Sequence, residues 1–96
     1  MTKSILIVDD EEDIRALIQL GLEMQAGWKV LNSKSGEEAI QIAATEEPDV
    51  ILLDLMMPDM DGKTTLQKLK SNPKTQKIPV ILMTAKSKSS VAESFA

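Results

Sequence analysis

Ninety-six residues, 43% of them hydrophobic, suffice for one small core and a single domain over residues 1–96. Eleven Lys and Arg against fifteen Asp and Glu leave a net charge of −4 with no cationic run, which excludes a direct nucleic-acid grip built on clustered phosphate contacts. Cysteine and histidine are both absent, so disulfides, zinc-thiolate sites and Ser-His-Asp or Cys-His catalysis are excluded, and carboxylates remain as the metal ligands to expect.

The first element is the apolar run 5–8, too short for a signal-peptide core and followed at once by Asp9 and Asp10. No apolar stretch approaches bilayer length, so no membrane contact and a cytoplasmic location are expected. Next, Ile14, Leu17, Ile18, Gly21 and Leu22 follow the spacing of one helix face, with Glu11, Glu12 and Asp13 in a first turn where the helix dipole favours anions. A weaker strand is expected over 28–31, nearer a sheet edge. Ser35 with Glu38 three residues on reads as a capping box, opening a helix whose inner stripe is Ala39, Ile40 and Ala43 and which Pro48 closes. A third strand covers 50–53. Gly62 opens a third helix with Leu66 and Leu69 inward, and Asn72-Pro73 ends it. A fourth strand covers 80–83, and a fourth helix begins near Ser87 or Lys88. Runs rich in Ile, Leu and Val without period-two alternation suit strands buried on both faces. Strict βα alternation then implies an α/β fold with right-handed crossovers: a flavodoxin-like, doubly wound parallel sheet in the order 2-1-3-4. There is no internal repeat, linker or low-complexity tract.

Asp9 and Asp10 follow the first strand, Asp54 the third and Thr84 the fourth, all at carboxyl ends, where open α/β sheets bind ligands. With the first and third strands adjacent, the three aspartates converge. Two carboxylates about 4 Å apart at an effective dielectric near 20 repel by roughly 4 kcal/mol, so the group calls for protons or a cation. Mg²⁺ answers that need, because it takes a few carboxylates and leaves positions for water and phosphate oxygens. An ionised Asp54 is then a nucleophile able to form an acyl phosphate. Taken singly, Asp9 is as readily a turn former, and Thr84 as readily a cap. The joint pattern on one rim favours chemistry for Asp10 and Asp54.

Other motifs fail. Aligning Gly62 with the sixth position of a calcium loop puts Met57 at the first and Lys68 at the twelfth, which excludes an EF-hand. There is no Walker loop and no G-x-G-x-x-G after a strand. A Mg²⁺-dependent phosphohydrolase using Asp54 stays open as an alternative, although the second Asp of that pattern is replaced by Met56. The six methionines read as gap-filling core residues.

Three segments carry a family resemblance: Ile5-Leu6-Ile7-Val8-Asp9-Asp10-Glu11; Asp54-Leu55-Met56-Met57-Pro58-Asp59-Met60-Asp61-Gly62; and Ile78-Pro79-Val80-Ile81-Leu82-Met83-Thr84-Ala85. Together they resemble the hallmark segments of two-component response-regulator receiver domains. The resemblance implies a phosphoacceptor signalling module, not a turnover enzyme, in which Asp54 receives a phosphoryl group from a histidine kinase or phosphotransfer protein. It implies that Asp10 ligates Mg²⁺ directly, that Asp9 helps through water, and that Asp54 and the Met56 backbone carbonyl complete the protein ligands. Thr84 is the implied switch hydroxyl, and Pro58 and Gly62 shape the loop beside the acceptor. A family member would continue into a fifth strand with an aromatic switch residue, a lysine followed by proline, and a last helix. None follows Ala96 in this sequence. The expectation is therefore a C-terminally incomplete receiver domain whose uncovered edge, residues 78–83, drives homo-oligomerisation. A truncated or pseudo-receiver that serves only as a folding, partner-binding or dimerising fragment is the alternative.

Overall fold

A computed structural model describes residues 3–55 and 62–83, with the backbone alone for residues 25 and 26. In chain order the elements are β1 (Ser4–Val8), α1 (Glu12–Ala26), β2 (Lys29–Ser33), α2 (Gly36–Glu46), β3 (Val50–Asp54), α3 (Gly62–Ser71) and β4 (Val80–Met83). The strands form one parallel sheet in the order β2-β1-β3-β4, the order expected. Leu6 pairs with Leu31 on one side and Ile51 on the other, and Leu52 pairs with Ile81.

Both faces of the central strands are covered, which is why their sequences lack alternation. Leu6, Val8, Ile51 and Leu53 pack with Ala39, Ala43, Leu69 and Ile78 on the face carrying α2 and α3. Ile7 packs with Ile18 and Met83 on the face carrying α1, with Ile14, Leu22, Val30 and Leu52 partly buried against them. Fully burying each Ile, Leu, Val or Met among them contributes roughly 1.5–3 kcal/mol.

The boundaries follow from local hydrogen bonding. Helix α1 ends at Gly27, whose φ of 67° needs no Cβ and whose N–H donates to the Leu22 carbonyl. The Trp28 N–H also donates to Leu22 at 3.4 Å. Trp28 thus belongs to the helix cap, and β2 starts one residue later than the apolar run suggests. The Ser35 Oγ accepts from the Glu38 N–H at 3.1 Å, the first half of the expected capping box. The return half is displaced: the Glu38 carboxylate accepts from the Lys34 N–H at 3.4 Å, because the Ser35 N–H points to Ser33 Oγ. In α3, Leu69 is fully buried and Leu66 packs partly buried against the same core, as expected, and Thr65, fully buried, joins that inward stripe. After Ser71 the chain turns on Asn72, whose carbonyl accepts from the Thr75 and Gln76 N–H groups at 2.9 and 2.8 Å. The buried Thr75 hydroxyl donates to the Leu69 carbonyl at 2.5 Å, and Lys70 Nζ donates to the Ile78 carbonyl at 2.9 Å. These contacts lead the chain directly into β4.

The expected bare edge is narrower than residues 78–83. Ile78 and Met83 are buried, at 9% and 2% exposure, whereas Ile81 and Leu82 are 55% and 45% exposed. Residues 78 and 83 face the two cores, while 81 and 82 lie on the outermost strand among the described residues. The expected fourth helix, near Ser87 or Lys88, lies outside the described residues.

Candidate functional site

Strand order reverses between β1 and β3, since the chain leaves β1 toward β2 and returns across it to β3. In open α/β sheets, ligands bind beside the carboxyl ends of strands at such a reversal. Asp9 follows β1 immediately and Asp54 is the last residue of β3. Both are fully buried, while Asp10 is exposed. Carboxylate oxygens of the three lie within 4.8 Å of one another. The convergence expected from strand order is thus present in atomic positions.

Asp9 is fixed by three elements. Its N–H donates to the Ser33 carbonyl at the end of β2, at 3.0 Å, and its Oδ1 accepts from the Glu11 N–H at 2.8 Å, just before α1. Its own carbonyl accepts from Arg15 Nη1, reaching back from the first turn of α1. The Asp54 side is fixed by close backbone approach. The Leu55 N–H donates to the Met83 carbonyl at 2.9 Å, and the Gly62 N–H donates to the Leu55 carbonyl at 3.3 Å. A Cβ on Gly62 would meet the Asp54 carbonyl oxygen at 2.6 Å, so only glycine lets α3 begin this close to the acceptor strand.

The donor set tests the idea of a cation. Three carboxylates, two of them out of water, repel strongly unless a positive charge joins them. All donors are hard oxygens, with neither nitrogen nor sulfur, which suits Mg²⁺ over zinc or copper. Asp10 is the solvent-exposed member of the three. The residues present therefore fit the ion.

Of the residues singled out in the sequence, Asp9, Asp10 and Asp54 are brought together, and Gly62 abuts the backbone of Asp54 and Leu55. Met56, Pro58 and Thr84 lie outside the described residues. Arg15 was not singled out. Its signal was a cation in a first turn otherwise occupied by Glu12 and Asp13, where the helix dipole disfavours positive charge.

Comparison with known proteins gives a consistent answer. The family described as "Response regulator receiver domain" matches residues 5–96. The alkaline phosphatase synthesis transcriptional regulatory protein PhoP of Bacillus subtilis is 44% identical over 88 residues, covering 90% of this chain and 35% of that protein. Response regulator PleD of Caulobacter vibrioides is 45% identical over 85 residues, covering 88% of this chain and 18% of its own length. The chain thus spans about a third or less of these curated relatives. Among solved structures, the N-terminal domain of a response regulator receiver protein from Methanoculleus marisnigri superposes with a TM-score of 0.79 at 34% identity, covering 96% of this chain and 77% of that one. Chemotaxis protein CheY4 of Vibrio cholerae gives a TM-score of 0.80 at 25% identity, covering 100% and 82%.

Proposed function

The chain belongs to the response-regulator receiver family of two-component systems, and from that premise we propose that residues 1–96 act as a phosphoacceptor unit with Asp54 as the acceptor. The observation that carries the reading is the meeting of Asp9, Asp10 and Asp54 within 4.8 Å at the carboxyl ends of β1 and β3. Receiver domains are signalling modules and not, in general, turnover enzymes.

In the proposed step an Asp54 carboxylate oxygen attacks phosphorus in line with the leaving group. The P–N bond to a histidine of a kinase or phosphotransfer protein breaks, the imidazole leaves with the electron pair, and an acyl phosphate forms on Asp54. A Mg²⁺ ion would be held by Asp9, Asp10, Asp54 and the Met56 carbonyl, and would neutralise charge on the transferring oxygens. Asp10, exposed, offers an oxygen toward solvent. Asp9, buried and fixed, keeps the chain after β1 in shape. Thr84 is assigned the hydroxyl that follows the phosphoryl group. Modification changes partner affinity by shifting a conformational equilibrium.

Mg²⁺-dependent labelling by acetyl phosphate, read as intact mass, tests this. One phosphoryl mass gain in the wild type and none in Asp54→Asn is expected; equal labelling of both would overturn the assignment. A hydrolytic reading is weaker, since Met56 stands where such an enzyme would carry its second Asp. Sustained turnover of p-nitrophenyl phosphate would favour it. A cytoplasmic location agrees with a kinase-loaded module, and among the described residues no helix is long and apolar enough to cross a membrane. With a net charge of −4, any nucleic-acid contact is assigned to other parts of a longer protein, not to this unit. We also assign a second copy of the chain to the β4 edge, where Ile81 and Leu82 are exposed on a strand that pairs only with β3 among the described residues.

A further inference from the structure

We propose that Arg15 is a positioning residue for the divalent cation, acting through the peptide that joins Asp9 to Asp10. The inference rests on the phosphoacceptor reading and deepens it.

Arg15 lies in the first turn of α1, where the dipole is unfavourable for a cation. Side chains on a helix lean toward its N-terminus, which carries the guanidinium back over the β1–α1 loop. There Nη1 donates to the Asp9 carbonyl. The helical spacing by itself suggests a different partner, because Glu11 sits four residues earlier and i,i+4 carboxylate–arginine pairs are common. The structure puts the guanidinium on the backbone instead. That choice matters for the site. The Asp9 N–H is held by Ser33 at 3.0 Å and its Oδ1 by the Glu11 N–H at 2.8 Å. With the carbonyl held by Arg15, rotation of the 9–10 peptide plane is restrained, and with it the direction in which Asp10 leaves the chain. Asp10 is the exposed member of the triad, so burial does little to orient it.

Two roles for this cation predict opposite signs. A guanidinium acting only as a charge near three carboxylates would compete with Mg²⁺, so its removal would tighten metal binding. A guanidinium that aims Asp10 would make binding weaker when lost, as groups behind metal ligands generally do. The geometry points to the second. Arg15 also lines an open groove of about 250 Å³ with Glu12, Ala16, Gln19 and Asn32, so shortening it opens no void in the core.

The experiment is Mg²⁺ titration calorimetry at fixed ionic strength on the 96-residue chain and on Arg15→Gln and Arg15→Lys, with circular dichroism melts of each. The Mg²⁺ requirement for acetyl phosphate labelling is measured in parallel. Arg15→Gln is expected to bind Mg²⁺ about tenfold more weakly and to shift the labelling requirement by the same factor. Arg15→Lys, which keeps a donor but not the planar fork, is expected to recover part of the affinity. Unchanged or tighter binding by Arg15→Gln overturns the positioning role while leaving the phosphoacceptor reading intact. Should Arg15→Gln not fold, Arg15→Lys decides alone: wild-type affinity overturns the role, and a severalfold loss supports it. A wild type that neither binds Mg²⁺ nor labels overturns both.

Discussion

Strands β1 and β4 are written in nearly the same letters, Ser-Ile-Leu-Ile-Val and Val-Ile-Leu-Met, yet they live differently. In β1, Leu6, Ile7 and Val8 are wholly shielded from solvent, whereas in β4 the matching middle pair, Ile81 and Leu82, is 55% and 45% exposed. β1 has a strand on each side and helices over both faces; β4 pairs with β3 alone among the described residues. An apolar run states that a strand wants cover, and topology decides whether it receives any. The rim of β1 adds charge to this burial, since the strand runs out into Asp9 and Asp10, whose carboxylates meet that of Asp54.

Truncation in the two strands tests that contrast directly. Leu6→Ala should cost about 3 kcal/mol in urea unfolding, because it removes a fully buried side chain between two strands and leaves a cavity. Leu82→Ala should cost under about 1 kcal/mol. Equal losses would mean that β4 is as well covered as β1. Next comes Gly62→Ala, whose Cβ meets the Asp54 carbonyl oxygen at 2.6 Å and Leu55 Cδ2 at 2.8 Å. Backbone cannot yield as a side-chain tip can, so a loss of about 2 kcal/mol is expected, with weakened acetyl phosphate labelling. An alanine variant that labels at the wild-type rate would show that α3 does not constrain the acceptor strand.

Sequence patterns made the strands, their order and the acidic triad legible, because hydrophobic runs and carboxyl-end placement are local features read against one topological rule. What stayed hidden was set by partners distant in sequence. Nothing in 80–83 distinguishes buried Met83 from exposed Leu82 until the neighbouring strand and helices are placed. Thr65 was passed over on the inward stripe of α3, since a polar letter there reads as solvent-facing. Arg15 was masked by Glu11, whose i,i+4 spacing offers a simpler pairing than the Asp9 carbonyl that it takes. Ser33 likewise gave no sign that its hydroxyl would displace half of the capping box at Ser35.

The charged rim of β1 gives a smaller effect of opposite sign. With Mg²⁺ chelated, three carboxylates within 4.8 Å oppose folding, so Asp10→Asn should raise stability by about 1 kcal/mol at neutral pH. Added Mg²⁺ stabilises the native state by RT ln(1 + [Mg²⁺]/Kd), about 2.7 kcal/mol at a hundredfold excess over Kd, and the variant should lose most of that gain. Melts with and without Mg²⁺ check both signs at once. A variant destabilised without the ion would mean that Asp10 is held by favourable partners and not crowded by like charges.

The smallest stability change is expected at the edge itself. Ile81 is more than half exposed, so Ile81→Lys should alter folding stability by no more than about 0.5 kcal/mol. Its effect belongs to association. A strand edge with exposed apolar side chains is a template for another chain, and a lysine on such an edge blocks pairing by charge and desolvation cost. Sedimentation velocity across the micromolar range should show the wild type self-associating and Ile81→Lys as a monomer. The corresponding change in β1, Ile7→Lys, buries an unpaired charge and should abolish folding, so the two lysines separate what topology covers from what it leaves open. A wild type that stays monomeric throughout would remove the second copy from the β4 edge and leave the difference between the strands as a matter of burial alone.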